Sequence, residues 1–179
     1  MAREREMTSL GTYVSDEYQT PPEWVAMFDK VLEGIGLDPC WSEIEGQRFK
    51  PFAETIWGVT DDALSKSIVE WQAHGSIYMN CCYSNPSAWA EKLAKCEDVP
   101  WIALCNTQSS AKWWHRLAEQ STLIAFPRKR ICFIDPRTGE PAKGNRYDQT
   151  IFVAVDVECE QLARDVLGPY CQLFSRVEP

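Results

Sequence analysis

The sequence has little positive charge and no long apolar run. Its 179 residues carry 18 Lys and Arg against 26 Asp and Glu, a formal net charge of −8. Overall attraction to nucleic acid is therefore not expected. No apolar run approaches the roughly 18 residues that a membrane span needs, and residues 1–6 are charged, unlike a signal peptide. We expect a cytoplasmic protein that does not bind membranes.

Zinc-type spacing of cysteines and histidines is also missing. The eight cysteines form no CxxC pair, and His74 and His115 are isolated, so we expect no metal site. Nothing indicates secretion, which makes disulfides unexpected. We predict reduced and mostly buried thiols at Cys40, Cys81, Cys82, Cys96, Cys105, Cys132, Cys159 and Cys171.

The composition is typical of one folded domain. Hydrophobic residues make up 45% of the chain and aromatic residues 12%, enough to bury a sizeable core. We predict a flexible tail over residues 1–12 and a single domain over residues 13–179.

Predicted strands and helices alternate up to residue 126. Apolar runs predict strands beginning at Ile35 and at residues 76–79, 101–106 and 123–126. Helical spacing predicts helices from Pro21, with Thr20 as N-cap, to about residue 33, and near residues 64–71, 86–95, 110–118 and 161–167. Two further strands, 131–134 and 150–155, follow each other directly. This order predicts an α/β fold with an antiparallel strand pair at one edge.

Residues 77–86 form the stretch most informative about function. A short apolar strand ends at Asn80, and Cys81, Cys82 and Tyr83 lead into a turn. Ligands of open α/β sheets bind where strands end. The Asn80 carbonyl and a backbone carbonyl could accept hydrogen bonds from an exocyclic amine while the Tyr83 ring stacks on a planar group.

Two other segments carry candidate binding residues. Asp38 and Pro39 form an acidic turn after the first strand, where a carboxylate could bind ribose hydroxyls or an ammonium group. Basic residues cluster later in the chain, at Arg128, Lys129, Arg130, Arg137, Lys143 and Arg146. This cluster indicates either a local DNA-binding patch or a solvated basic hairpin.

Four segments in this order resemble the phage-type DNA N6-adenine methyltransferase (Dam-like) family. Residues 18–22 are similar to the Thr-Pro element of the family's cofactor site, and residues 37–40 to its first Asp-Pro turn. Residues 80–83 fall where the family's Asn-Pro-Pro-Tyr motif belongs, with Cys81 and Cys82 in place of the prolines. Residues 126–133 look like its late strand pair. The likeness extends from about residue 15 to residue 155.

The resemblance implies a Rossmann-like, S-adenosylmethionine-dependent methyltransferase sheet. It implies methyl transfer to an adenine flipped out of DNA, without a metal. The sequence does not give the oligomeric state, and a monomer or a weak dimer is expected. The catalytic residues would be Asn80, Cys81, Cys82 and Tyr83. The cofactor would contact Tyr18, Thr20, Pro21, Asp38, Pro39, Cys40 and Asn80. DNA would contact Ser84 and Asn85 and four residues of the basic cluster, Arg128, Lys129, Arg130 and Arg146.

The cysteine pair leaves alternatives open. Cysteine lacks the fixed φ with which proline pre-organises a loop. The protein could therefore keep the fold and bind DNA or cofactor without methylating adenine. A further alternative uses Cys81 or Cys82 as a nucleophile or redox pair, although no neighbour in the sequence is placed to lower a thiol pKa.

Overall fold

The computed structural model describes residues 16–42, 50–142 and 147–176. The strands in these ranges are β1 (Leu37–Asp38), β2 (Thr55–Ile56), β3 (Ile77–Asn80), β4 (Trp101–Asn106), β5 (Leu123–Pro127), β6 (Gln149–Ala154) and β7 (Cys171–Ser175). The helices are α1 (Pro22–Leu32), α2 (Ile68–Gln72), α3 (Pro86–Leu93), α4 (Lys112–Gln120) and α5 (Val157–Leu167), and a short 3-10 helix covers Val59–Asp61. No helix in this part of the chain is long and apolar enough to cross a membrane.

All seven strands belong to one sheet in the order β2-β1-β3-β4-β6-β5-β7. Strands β2, β1, β3 and β4 pair in parallel, whereas β6 runs antiparallel to both of its neighbours and β7 antiparallel to β5. The predicted α/β, Rossmann-like methyltransferase sheet is confirmed, with its antiparallel strands at one end. The sequence did not indicate that β6 lies between β4 and β5.

Helices cover both faces of the sheet. Tyr78 and Ile102 point to the face on which α1 and α5 pack, whereas Met79 and Ala103 point to the face covered by α2, α3 and α4. Alternate residues of β3 and β4 are thus buried on opposite sides. This two-sided burial explains why both strands are continuously apolar in sequence.

The strand predicted at residues 131–134 is wrong. Ile134 forms only isolated bridges, to Gln19 and to Pro141. Since β5 already pairs with β6 on one side and β7 on the other, no edge of that strand is left for residues 131–134. A local apolar pattern in the sequence gives no information about whether both sides of a neighbouring strand are already paired.

The prediction of Thr20 as a helix N-cap is also wrong. The N-cap of α1 is Pro21, and it makes no side-chain capping bond. The Thr20 hydroxyl instead lies 2.6 Å from the phenol oxygen of the buried Tyr78. A contact across 58 positions of sequence replaces the local one.

Close approach of two backbone segments requires a glycine before β1. A Cβ on Gly36 would lie 1.9 Å from the carbonyl oxygen of His74. The Gly36 amide also donates to the Ser76 hydroxyl at 2.8 Å, which holds the start of β1 against the segment leading into β3.

Gly36→Ala is therefore expected to lower the free energy of unfolding by about 3 kcal/mol, because backbone atoms rather than a flexible side chain must move. Urea denaturation of the two proteins measures this difference. A loss below about 0.5 kcal/mol would show that the segment before β3 relaxes freely.

Candidate functional site

The carboxyl ends of the parallel strands meet at one edge of the sheet. Asp38 ends β1, Asn80 ends β3 and Asn106 ends β4, with Asn80 directly opposite Leu104 in the register. Strand β5 runs in the same direction, so the basic residues after Pro127 emerge at this edge as well. The fold thus brings four separated sequence segments to one side of the molecule.

The side chain of Asn80 is held from two directions. Its amide nitrogen Nδ2 donates to the carbonyl oxygen of Tyr18 at 3.1 Å. Its oxygen Oδ1 accepts a hydrogen bond from the Tyr83 hydroxyl at 2.8 Å. An amide oxygen has two lone pairs, so Oδ1 can accept a second donor. The carboxamide is therefore oriented with an acceptor available at the sheet edge.

Tyr83 is half-buried, and its ring meets the Phe133 ring edge-on at a centroid distance of 6.2 Å. Burial raises the pKa of the Tyr83 phenol well above its ordinary value, so the hydroxyl stays protonated and donates to Asn80. The predicted catalytic pair Asn80 and Tyr83 is thus in direct contact.

The two adjacent cysteines belong to different surroundings. Cys81 is 2% exposed, and its sulfur lies 3.6 Å from that of Cys105. Cys82 is half-buried, and it lines the same cavity as Cys40. The contact with Cys105 and burial raise the pKa of the Cys81 thiol, and desolvation raises that of Cys40.

These raised pKa values argue against the nucleophilic alternative for Cys81, because the thiolate is the reactive form. Among the described residues, no group of three His, Cys, Asp or Glu side chains is placed to hold a metal ion.

A cavity of about 160 Å³ lies beside the end of β1 and the loop after β3. Its lining combines carboxylates with indole rings: Asp16, Glu17, Pro39, Cys40, Trp41, Trp57, Gly58, Val59, Asp62, Ala63, Leu64, Cys82 and Trp89. Carboxylates accept hydrogen bonds from hydroxyl and ammonium groups, whereas indoles offer flat apolar faces. The cavity therefore suits a ligand with a planar ring and polar substituents.

The predicted cofactor residues divide between two places. Pro39 and Cys40 line the cavity of about 160 Å³. Thr20 lines a separate cavity of about 320 Å³, beside Phe52. Asp38 lines neither of them, because its carboxyl is buried beneath the turn and accepts a hydrogen bond from the Cys40 amide at 2.9 Å.

Sequence reasoning missed several residues that line the cavity beside Cys40. Asp16, Glu17, Trp57, Asp62 and Trp89 received no binding role from the sequence. A high tryptophan count, eight in 179 residues, was the available signal. It could not indicate which indoles share a cavity.

The basic residues after β5 are exposed and border a cavity of about 500 Å³. Its lining is Glu23, Trp24, Met27, Arg128, Lys129, Arg130, Pro169 and Tyr170. Arg130 forms a salt bridge with Asp148 at 3.0 Å. Ser84 and Asn85 are exposed in the loop after β3. Lys143 and Arg146 lie outside the described residues.

Asp38 generates a pH-dependent prediction. Burial raises the pKa of its carboxyl from 3.8 to about 7. Between these values the folded chain keeps a proton that the unfolded chain releases, so the stability contribution of Asp38 falls as pH rises from about 4 to about 7.

Asp38→Asn keeps the acceptor for the Cys40 amide but cannot ionise. We expect its free energy of unfolding to exceed that of the parent increasingly with pH, by up to about 4 kcal/mol at pH 8. Denaturation at unit intervals from pH 4 to 8 measures the difference, and parallel curves would contradict the buried, protonated state.

Comparison with known families agrees with this geometry. A model of the family described as DNA N-6-adenine-methyltransferase (Dam) matches residues 8–166, which include Asn80, the cysteine pair, the residues lining the cavities of about 160 Å³ and 320 Å³, and the basic residues after β5. No curated protein and no solved structure matches the chain significantly. The family match covers most of the 179 residues. The chain therefore belongs to the DNA N-6-adenine-methyltransferase (Dam) family.

Proposed function

We propose that this protein transfers a methyl group from S-adenosylmethionine to the N6 amine of adenine in DNA. The observation that carries the proposal is the Asn80 carboxamide, oriented by Tyr18 and Tyr83 at the end of a buried parallel strand. Asn80 lies two residues before Cys82, which lines the cavity of about 160 Å³. A base-binding acceptor and a candidate cofactor cavity are thus neighbours.

The side chains of this cavity suit S-adenosylmethionine chemically, and its volume of about 160 Å³ would accommodate part of the cofactor, because sites for ligands of this size are usually about 300 Å³ or larger. Glu17 and Asp62 could accept hydrogen bonds from its ammonium and ribose hydroxyl groups, and the rings of Trp57 and Trp89 offer faces for its adenine. When bound, the cofactor supplies an electrophilic methyl group. Everything else in the reaction depends on how this chain places the accepting amine.

Asn80 and Tyr83 would place that amine. Oδ1 of Asn80 and the backbone carbonyl of Cys81 accept hydrogen bonds from the exocyclic amine, which directs its lone pair toward the cofactor cavity. The half-buried Tyr83 supplies a ring face for the flipped base. Because this mechanism needs no ionised thiol, it agrees with the raised pKa of Cys81. Orientation accounts for most of the rate enhancement.

DNA would cross the same edge of the sheet. Strands β3 and β5 are separated by β4 and β6, so Arg128 lies about 14 Å along the edge from Asn80. The exposed Arg128 and Lys129 could bind phosphates, and the exposed Tyr170 beside them could stack on an unpaired base. The acidic remainder of the protein favours contact through this patch alone.

The replacement of the two prolines by cysteines favours one second candidate function. Free rotation about φ at Cys81 and Cys82 could leave a protein that binds cofactor and DNA without transferring the methyl group. Cofactor binding without product would identify this case.

Asn80→Ala is expected to lower kcat for adenine methylation by about 100-fold or more, because it removes an oriented acceptor for the reacting amine. The measurement is N6-methyladenine by mass spectrometry of nucleosides after incubation with S-adenosylmethionine and unmethylated DNA. Calorimetric titration with the cofactor is the control, and we expect its affinity to change less than about threefold.

Absence of N6-methyladenine with the folded parent protein would contradict methyl transfer. Retained cofactor binding in that experiment would then support the second candidate function.

Lys129→Glu is expected to weaken DNA binding about tenfold at low salt and to reduce the slope of log affinity against log salt by about one. Fluorescence anisotropy with an adenine-containing duplex at several salt concentrations measures both quantities. Lys95→Glu is the matched control, because Lys95 is exposed beyond the end of α3, outside the basic cluster, and forms a salt bridge with Glu91. Equal effects of the two substitutions would remove the patch from the DNA interface.

A further inference from the structure

Residues 16–20, which we name the N-terminal strap, connect the loop after β5 with the end of β3. On one side, Gln19 exchanges two backbone hydrogen bonds with Ile134, both of 2.9 Å. These bonds form an isolated antiparallel bridge outside the main sheet. The strap is therefore fixed to a segment that begins at the basic residues after β5.

On its other side, the strap contacts β3 and the loop that follows it at three positions. The Thr20 hydroxyl lies 2.6 Å from the Tyr78 phenol oxygen, and the Tyr18 carbonyl accepts from Asn80 at 3.1 Å. The carboxylate of Asp16 accepts from the backbone amide of Ser84 at 3.2 Å. Two of these contacts precede the cysteine pair and one follows it.

These contacts lie on either side of the cysteine pair, which lacks the backbone restriction of proline. Two prolines would restrict the backbone between Asn80 and Tyr83 through their rings, whereas two cysteines leave φ free at both positions. Hydrogen bonds to the residues before and after a flexible dipeptide also limit the backbone conformations that the dipeptide can adopt. A bond to a charged acceptor such as Asp16 contributes more than a neutral one.

We propose that the N-terminal strap positions the catalytic loop in place of proline rigidity, and that Asp16 is its principal positioning residue. Asp16 would act through the Ser84 amide and would not touch the reacting atoms. The effect on rate rests on the proposed methyl transfer, whereas the effect on the loop does not.

A different role for Asp16 would give a different experimental result. Asp16 also lines the cavity of about 160 Å³, so it could serve as a cofactor ligand only. In that case its removal would raise the dissociation constant for S-adenosylmethionine and leave the Ser84 amide unaffected. A positioning residue changes kcat and loop protection with little effect on cofactor affinity.

The test is a double-substitution cycle. Asp16→Ala is expected to lower kcat at least about tenfold in the parent chain, and by less than about threefold in the Cys81→Pro/Cys82→Pro background, where rings supply the rigidity. Asp16→Asn keeps an acceptor oxygen and should recover most of the rate. Asp165→Ala, which removes an exposed carboxylate from α5, should leave kcat unchanged in both backgrounds.

Hydrogen exchange of the backbone amides provides a readout that needs no activity. In the parent chain, Asp16→Ala should lower the protection of the Ser84 amide about tenfold and leave the amides of β4 unchanged. This measurement decides the loop proposal even when the protein transfers no methyl group or the proline variant fails to fold.

Unchanged Ser84 protection would overturn the proposal. Equal losses of kcat in the two backgrounds would overturn it as well, as would a loss confined to cofactor affinity.

Discussion

The parallel pairing of β3 between β1 and β4 is the constraint on which the rest of the structure depends. Both faces of β3 are buried, and a shift of register by one residue would move the polar Asn80 into the apolar interior. Asn80 is the first residue of this strand that is only half-buried. Its position at the sheet edge follows from the burial of the three residues before it.

The basic residues after β5 stand out because the protein as a whole is acidic. A net charge of −8 repels DNA over most of the surface, so a short basic segment defines where a duplex can approach. Three carboxylates line the cavity beside β1, where they would suit the cationic cofactor of the proposed reaction. In that reaction, cofactor and DNA would approach the same edge of the sheet at places of opposite charge.

The two cysteines that stand in place of prolines affect the core and the loop differently. Cys81 fills apolar volume against Cys105 as a neutral thiol, which preserves the core. The lost restriction of φ concerns only the loop, where side-chain and backbone bonds from the N-terminal strap are available. In the proposed arrangement, core filling and loop rigidity, which proline would combine, would come from different residues.

The sequence by itself determined much of the fold. Apolar runs and helical spacing are local patterns, so the strand before Asn80, the helix after Pro86 and the α/β class could be predicted from them. The order of motifs along the chain also sufficed to indicate the family.

Only the tertiary structure decided which distant groups meet. The insertion of β6 between β4 and β5 displaced residues 131–134 from the sheet and left Ile134 to pair with the N-terminal strap. The bond from Asn80 to the Tyr18 carbonyl spans 62 positions, and the carboxylates beside β1 come from separate segments. Local patterns encode burial and turn formation, whereas such contacts depend on the paths of several chain segments at once.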